Sequence, residues 1–372
     1  MKTTAIILLP FLLAGLVQEL ENNHHPVTPG VMNQVDGPYV FYKKNSVFVN
    51  YILDSSDHKL VQTDTASLET KKDLVLRINT DILYQSFSVR LKDQLQNEKS
   101  EFDSVSKLFA ISDIEGDFNS FRQLLQANGV MDENYNWTFG DGHLVLTGDC
   151  VDRGQQVTEV LWLIYSLEEK AKAAGGYVHF ILGNHEIMNL SGDLRYVNKK
   201  YIDNAKLINK SYESFYDKNS EIGRWLFTKN IVEKIGKRLF LHGGISEDVN
   251  NLNISVSRIN QLARPYYANS MYEQSDNNLK ILLSNKVSPF WYRGYYMGGQ
   301  RATPEQIDKT LSKFGVTEII TGHTVVSEKI NRSYGGKVID LDTHDYRGTM
   351  EALLIEGEKY YHTNLKGEKV LL

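Results

Sequence analysis

Cysteine is all but missing from this chain: Cys150 is the single one in 372 residues, so no intrachain disulfide can form. A chain of that length can bury a large core and does not need such staples. Proline is scarce too, at seven residues, and no proline-rich linker, internal repeat or low-complexity tract breaks the sequence. Positive charge is not in excess. The net charge of −5 gives no support for a nucleic-acid or anionic-membrane surface, so an anionic substrate would need a locally positive pocket. A long apolar run occurs near the start, over residues 5–17, and it is short for a bilayer span. With Lys2 before it and a polar stretch after it, it reads as a secretory signal over residues 1–20. Leu13-Ala14-Gly15 resembles the start of a lipoprotein box, but Leu16 follows where a lipidated cysteine would stand. The expectation is a periplasmic or secreted protein with no stable membrane anchor after cleavage.

What the sequence does have is concentrated at residues 143–154, where an apolar run ends in Gly148-Asp149 and is followed by Asp152-Arg153. Burying two carboxylates at a strand end costs several kcal/mol each unless cations or donors meet them. A metal at Asp149 and an anion at Arg153 would meet that need together.

The same rhythm runs through the chain from residue 107. Apolar runs end at Asp113, Asp149, Asn184, His242 and His323, each with glycine nearby. Short continuous apolar runs suit strands buried on both faces, and open α/β sheets place sites beyond the carboxyl ends of such strands. Asp113 to Asp149 is 36 residues and Asp149 to Asn184 is 35, which fits strand–helix–strand crossovers. Stripes at Phe118, Phe121, Leu124, Leu125 and at Val157, Val160, Leu161, Ile164, Leu167 predict the intervening helices, with Gly175-Gly176 ending the second. The expected organisation is an α/β domain over 107–372, preceded by a β-rich extension over 21–106. Inserts near 190–235 and 250–300 interrupt the domain, the first expected as a helical cap over the site.

Asp113, Glu115, Asp149, Asn184, His242 and His323 form a donor set suited to Mn, Fe or Zn. Two such ions roughly 3.5–4 Å apart could share Asp149 and a bridging hydroxide, poised for in-line attack on a phosphoryl group. His185, beside Asn184, could protonate the leaving oxygen with Asp152 orienting it. Arg153 and Arg293 could clamp phosphate oxygens, although Arg293 beside Trp291 and Tyr292 also fits plain cation–π packing. His143 and His179 read as structural.

Gly148-Asp-Cys-Val-Asp-Arg-Gly154, Gly183-Asn-His-Glu186, His242-Gly-Gly244 and Gly322-His323 resemble the signature blocks of the phosphoprotein phosphatase branch of the calcineurin-like metallophosphoesterases, over roughly residues 107–345. Phe290-Trp-Tyr-Arg-Gly294 and Thr321-Gly-His-Thr324 are similar to the Shewanella-like phosphatase group, which includes a protein-tyrosine phosphatase. The resemblance implies a β-sandwich flanked by helices and two divalent ions on the six residues above. It also implies His185 with Asp152 as proton donor, and phosphate held by Arg153 and Arg293. One block departs from the family pattern: Asp113-Ile-Glu115 stands where Asp-x-His is usual. Glutamate adds charge and favours a harder ion, with Asp117 a weaker substitute ligand.

The implied activity is hydrolysis of phosphomonoesters on proteins, phosphotyrosine first, with phosphoserine or phosphothreonine also open. The alternative keeps the fold and takes nucleotides or other small phosphorylated molecules. A thiolate phosphatase is excluded, because that chemistry needs Cys-x5-Arg and Gln156 stands six residues after Cys150.

Overall fold

The computed structural model describes residues 33–54, 58–299, 301–343 and 349–372, and the expected secretory signal lies outside them. Aromatic and β-branched residues split by turns give an antiparallel sheet of β1 (Asn33–Lys43), β2 (Ser46–Asp54) and β3 (Lys59–Ser67), followed by a hairpin of β4 (Val75–Asn79) and β5 (Ser86–Arg90). Then come β6 (Glu101–Phe102), β7 (Lys107–Ile111), α1 (Phe118–Ala127), β8 (His143–Leu146), α2 (Val157–Ala173) and β9 (Tyr177–Phe180). α3 (Asn184–Ser191), α4 (Lys199–Leu207) and α5 (Glu221–Leu226) lead to β10 (Val232–Ile235) and β11 (Arg238–Leu241). α6 (Glu247–Asn251), α7 (Val256–Ala263), α8 (Asn277–Leu282) and α9 (Pro304–Phe314) precede β12 (Glu318–Thr321), β13 (Asn331–Ser333) and β14 (Val338–Asp340). β15 (Ala352–Glu356), β16 (Lys359–Thr363) and β17 (Lys369–Leu371) close the chain.

Two six-stranded sheets form the centre, ordered β17-β16-β15-β7-β8-β9 and β13-β14-β12-β11-β10-β6. β7, β8 and β9 run parallel, as do β11 and β12. Period-2 alternation sorts their side chains into two layers. Leu108, Ala110 and Val145 meet Ile235, Phe240, Ile320 and Ile339 between the sheets. Phe109, Ile111, Leu144 and Leu146 belong instead to the cluster that takes in Phe121 and Leu124 of α1 and Val160 and Ile164 of α2. Each fully buried side chain of this size is worth about 1.5–3 kcal/mol. Both faces being apolar explains why these strands read as unbroken runs.

The first insert departs from expectation in two ways. Its closing residues are β10, a member of the second sheet, so the insert ends before Val232. Most of it also packs away from the site, against the N-terminal sheet: Phe215 meets Tyr39 with ring centroids 4.3 Å apart, and Glu221 accepts hydrogen bonds from Tyr42 and from Tyr165 of α2. The residues at its start are what reach the catalytic edge.

Candidate metal centre and its surroundings

Past the strand ends the loops stay in register. The amides of Asp113, Glu115 and Gly116 donate to the carbonyls of Gly148, Asp149 and Cys150, and Gly322 N–H donates to His242 at 2.8 Å. The first sheet thereby delivers Asp113, Glu115, Asp149 and Asn184, and the second delivers His242 and His323. The turns are sharp. Among the described residues twelve non-glycine residues have positive φ, and six of them are Asp113, Glu115, Asp149, Asp152, Arg153 and His323. Such backbone is held only where surrounding structure over-determines it, and it clusters at functional sites. Gly148 has φ +97, and a Cβ there would lie 2.4 Å from the Gly183 nitrogen and 3.0 Å from His242 Nδ1. Glycine is required for that approach.

Two groups of metal-binding atoms result, each within 4.8 Å of one another: Asp113, Glu115, Asp149 and Asp149, His242, His323. Asp149 belongs to both. His242 Nδ1–H donates to the Thr147 carbonyl at 2.7 Å, which turns Nε2 toward Asn184 Oδ1 and Asp149 Oδ2, each 3.0 Å away. His323 Nε2–H donates to the Trp291 carbonyl at 3.1 Å, leaving Nδ1 for the centre. Imidazoles fixed at one nitrogen by a carbonyl are what metal ligation uses. The donor set is carboxylate, amide oxygen and imidazole, and all six residues are buried. It fits two divalent ions of the Mn, Fe or Zn type.

The electrostatics run the same way. Burial would depress His242, but the carboxylates of Asp149 and Asp113 outweigh it and push it up to about 9. His323 is pushed well below its ordinary value by burial and then by the charges of His242 and Arg293. Positive charge is drawn to the point where His242 Nε2, Asp149 and Asn184 meet.

His185 packs beside this centre. Its amide donates to Asp149 Oδ1 at 2.9 Å, its Nδ1–H donates to Asp152 Oδ2 at 2.8 Å, and Nε2 lies 3.8 Å from Asp149 Oδ2. Burial works against its protonation, but Asp149 and Asp152 prevail and raise its pKa. Asn189, one helical turn on, donates to Asp152 Oδ1 at 2.8 Å and to the His185 carbonyl at 2.9 Å. Arg153, His185, Arg293 and His323 face an open cleft of about 280 Å³ together with Asp113, Glu115 and Asp149. Arg153 hydrogen-bonds Glu115, and Arg293 is steadied by the His323 carbonyl and by Thr324 Oγ1 at 3.2 Å.

The structure thus brings together every residue named from sequence. Asp117 does not join them as a ligand: it caps α1, accepting from Ser120 N–H at 3.0 Å. His143 and His179 lie elsewhere, in a buried relay to Glu233. Several supporting residues escaped the sequence reading. Glu186 accepts from the amides of Asp149 (2.9 Å), Cys150 (2.7 Å) and Gly183 (2.8 Å), so it clamps the Asp149 turn to the start of α3. Its place three residues after Gly183 was the available signal. Asn189 could have been found at i+4 from His185. Tyr196, 4.9 Å from the His185 ring and flanked by Arg153 and Arg195, carried no local signal.

Residues 106–327 match the calcineurin-like phosphoesterase family. The chain is 26% identical over 304 residues to Shewanella-like protein phosphatase 2 of Arabidopsis thaliana, covering 69% of this chain and 76% of that one. Its structure superposes on the crystal structure of a cold-active protein-tyrosine phosphatase of a psychrophilic Shewanella with a TM-score of 0.80 at 34% identity, covering 91% of this chain and 99% of that one. It is also 29% identical over 183 residues to a symmetrical bis(5'-nucleosyl)-tetraphosphatase of Buchnera aphidicola, covering 46% and 57%. A helix-flanked sandwich whose two sheets bring acid, amide and imidazole donors to one edge, matched over more than half its length, makes this chain a member of the calcineurin-like phosphoesterase family, a phosphoester hydrolase.

Proposed function

We propose that this protein is a binuclear metal-dependent phosphomonoesterase acting on phosphorylated proteins, phosphotyrosine foremost. The observation that carries the reading is the sharing of Asp149 by two groups of metal-binding atoms. In it Asp113, Glu115 and Asp149 hold one divalent ion, and Asp149, Asn184, His242 and His323 hold the other. Such ions supply an activated water and charge neutralisation at the phosphoryl group. The chain does the rest. Arg153 and Arg293 orient the phosphate oxygens from the cleft wall, which their planar forks suit better than lysine. His185, with Nδ1–H fixed on Asp152, presents Nε2 to the cleft and gives its proton to the leaving oxygen. The resemblance to a protein-tyrosine phosphatase over nearly its whole length supports the phosphotyrosine choice.

The second reading, a hydrolase of nucleotides, rests on the partial likeness to a tetraphosphatase. Assay of manganese- or zinc-loaded protein against a phosphotyrosine peptide, a phosphoserine peptide and diadenosine tetraphosphate separates the two. Turnover of the dinucleotide with none of either peptide would sink the phosphoprotein reading. His185→Asn should abolish turnover while metal content stays at the wild-type level.

A further inference from the structure

Beside the catalytic cleft opens a larger groove of about 530 Å³, within the size range of ligand sites. The groove and the metal centre share structure. Trp291 lines the groove while its ring stands edge-on to His323 at 5.6 Å. Met188 lines it from α3 while its Sδ lies 3.9 Å from the Asn184 amide nitrogen. Met271 and Tyr272 also line the groove, 58% and 66% exposed. Single exposed apolar residues are ordinary, but neighbours lining a groove that runs up to a catalytic site mark a binding surface. Met and Tyr are also side chains enriched in such surfaces.

The charges of the groove balance. Asp193 pairs with Arg195 at 2.7 Å, and Glu273 and Lys280 add one charge of each sign. A polyphosphate chain laid here would face two carboxylates with no surplus of cations to offset them. A neutral peptide meets no such penalty. Each residue of an extended peptide advances about 3.3 Å, so side chains two or three places from the phosphorylated one leave the cleft and enter neighbouring space.

We propose that this groove receives the residues flanking the phosphorylated side chain of an extended peptide, seating an apolar side chain against Met271, Tyr272 and Trp291. This rests on the phosphatase reading of the cleft and sets its sequence preference.

The test is a Met271→Ala/Tyr272→Ala double variant, in which both changes are on exposed side chains. It is compared with the wild type on phosphotyrosine peptides carrying leucine two or three residues to either side, on an all-alanine phosphotyrosine peptide, and on 4-nitrophenyl phosphate. The wild type should prefer at least one leucine peptide, and the variant should lose about tenfold in kcat/KM on it, the scale of a modest interface hot spot. Turnover of 4-nitrophenyl phosphate should not change. Equal kcat/KM for wild type and variant on every peptide, with 4-nitrophenyl phosphate still hydrolysed, overturns the groove and leaves the phosphatase reading standing. A metal-loaded wild type inactive on 4-nitrophenyl phosphate and on all peptides overturns both. A variant impaired on diadenosine tetraphosphate rather than on peptides overturns the peptide assignment.

Discussion

The Arg153 guanidinium hydrogen-bonds the Glu115 carboxylate, so the side chain proposed to grip phosphate is also the counterion of one proposed to hold metal. Glu115 stands where imidazole is usual in the family pattern, and it brings a negative charge that Arg153 partly offsets. Replacing it with histidine removes that charge and softens the donor set. Glu115→His should therefore raise the zinc-to-manganese ratio of protein equilibrated with both ions, as read by elemental analysis. An unchanged ratio would mean that Glu115 is not a ligand.

Asn189 touches no substrate in this scheme and acts by holding Asp152 and the His185 carbonyl. Asn189→Ala should lower kcat on phosphotyrosine peptide by roughly tenfold, and Asp152→Asn by about 10²–10⁴-fold, the usual worth of a positioned proton donor. KM should stay near the wild-type value in both. The pH–rate profile should move as well, because a purely structural defect would reduce the rate equally at every pH.

Cys150 is fully buried in the turn between the two catalytic aspartates, and burial, then the nearby Glu186 and Asp149 charges, pushes its thiol well above the ordinary range. A protonated buried thiol is inert. Iodoacetamide at neutral pH should leave activity intact, and Cys150→Ala should retain most of it. Rapid inactivation by the reagent with mass-spectrometric modification at Cys150 would contradict this.

Glu98 ties the segment before the central sheets to Lys229 at 3.0 Å and to the Tyr177 hydroxyl. Burial raises its pKa, but Lys229 and Tyr177 outweigh burial and bring it down to about 2, from an ordinary 4.5. A depressed carboxyl stabilises the fold above its unfolded pKa, and that stabilisation disappears as pH falls from about 4.5 toward 2. Urea unfolding at pH 6, 4 and 3 should show wild type losing up to about 3 kcal/mol more than Glu98→Gln across this window. Parallel losses in the two proteins would remove Glu98 as a source of acid lability.

The parts legible in the sequence were those where one physical demand acts on neighbouring residues. Leu108-Phe-Ala-Ile111 is a run because both of its faces are buried, and the polar residues beyond it stand out for that reason. The pairing of β1, β2 and β3 was foreseeable as antiparallel strands, but not its service as a floor for the insert: Tyr39 and Phe215 meet across 176 residues of sequence, and no local pattern reports that. β6 is two residues long and is a strand because β10 offers it partners. Within the site, side-chain donors were recognisable by type. The Trp291 carbonyl that orients His323 was not, since every residue has a carbonyl.

The left-handed turns at Asp113, Glu115, Asp149 and His323 carry a further consequence. Their conformations are enforced by amide contacts that involve no ion, among them those to Glu186 and those joining the Asp113 and Asp149 loops. The cradle is therefore preset, and cations enter it rather than assemble it. Chelation should silence the enzyme yet leave its far-ultraviolet circular dichroism almost unaltered, and re-addition of manganese should restore turnover without any refolding lag. In small zinc modules, by contrast, stripping the ion erases the fold itself.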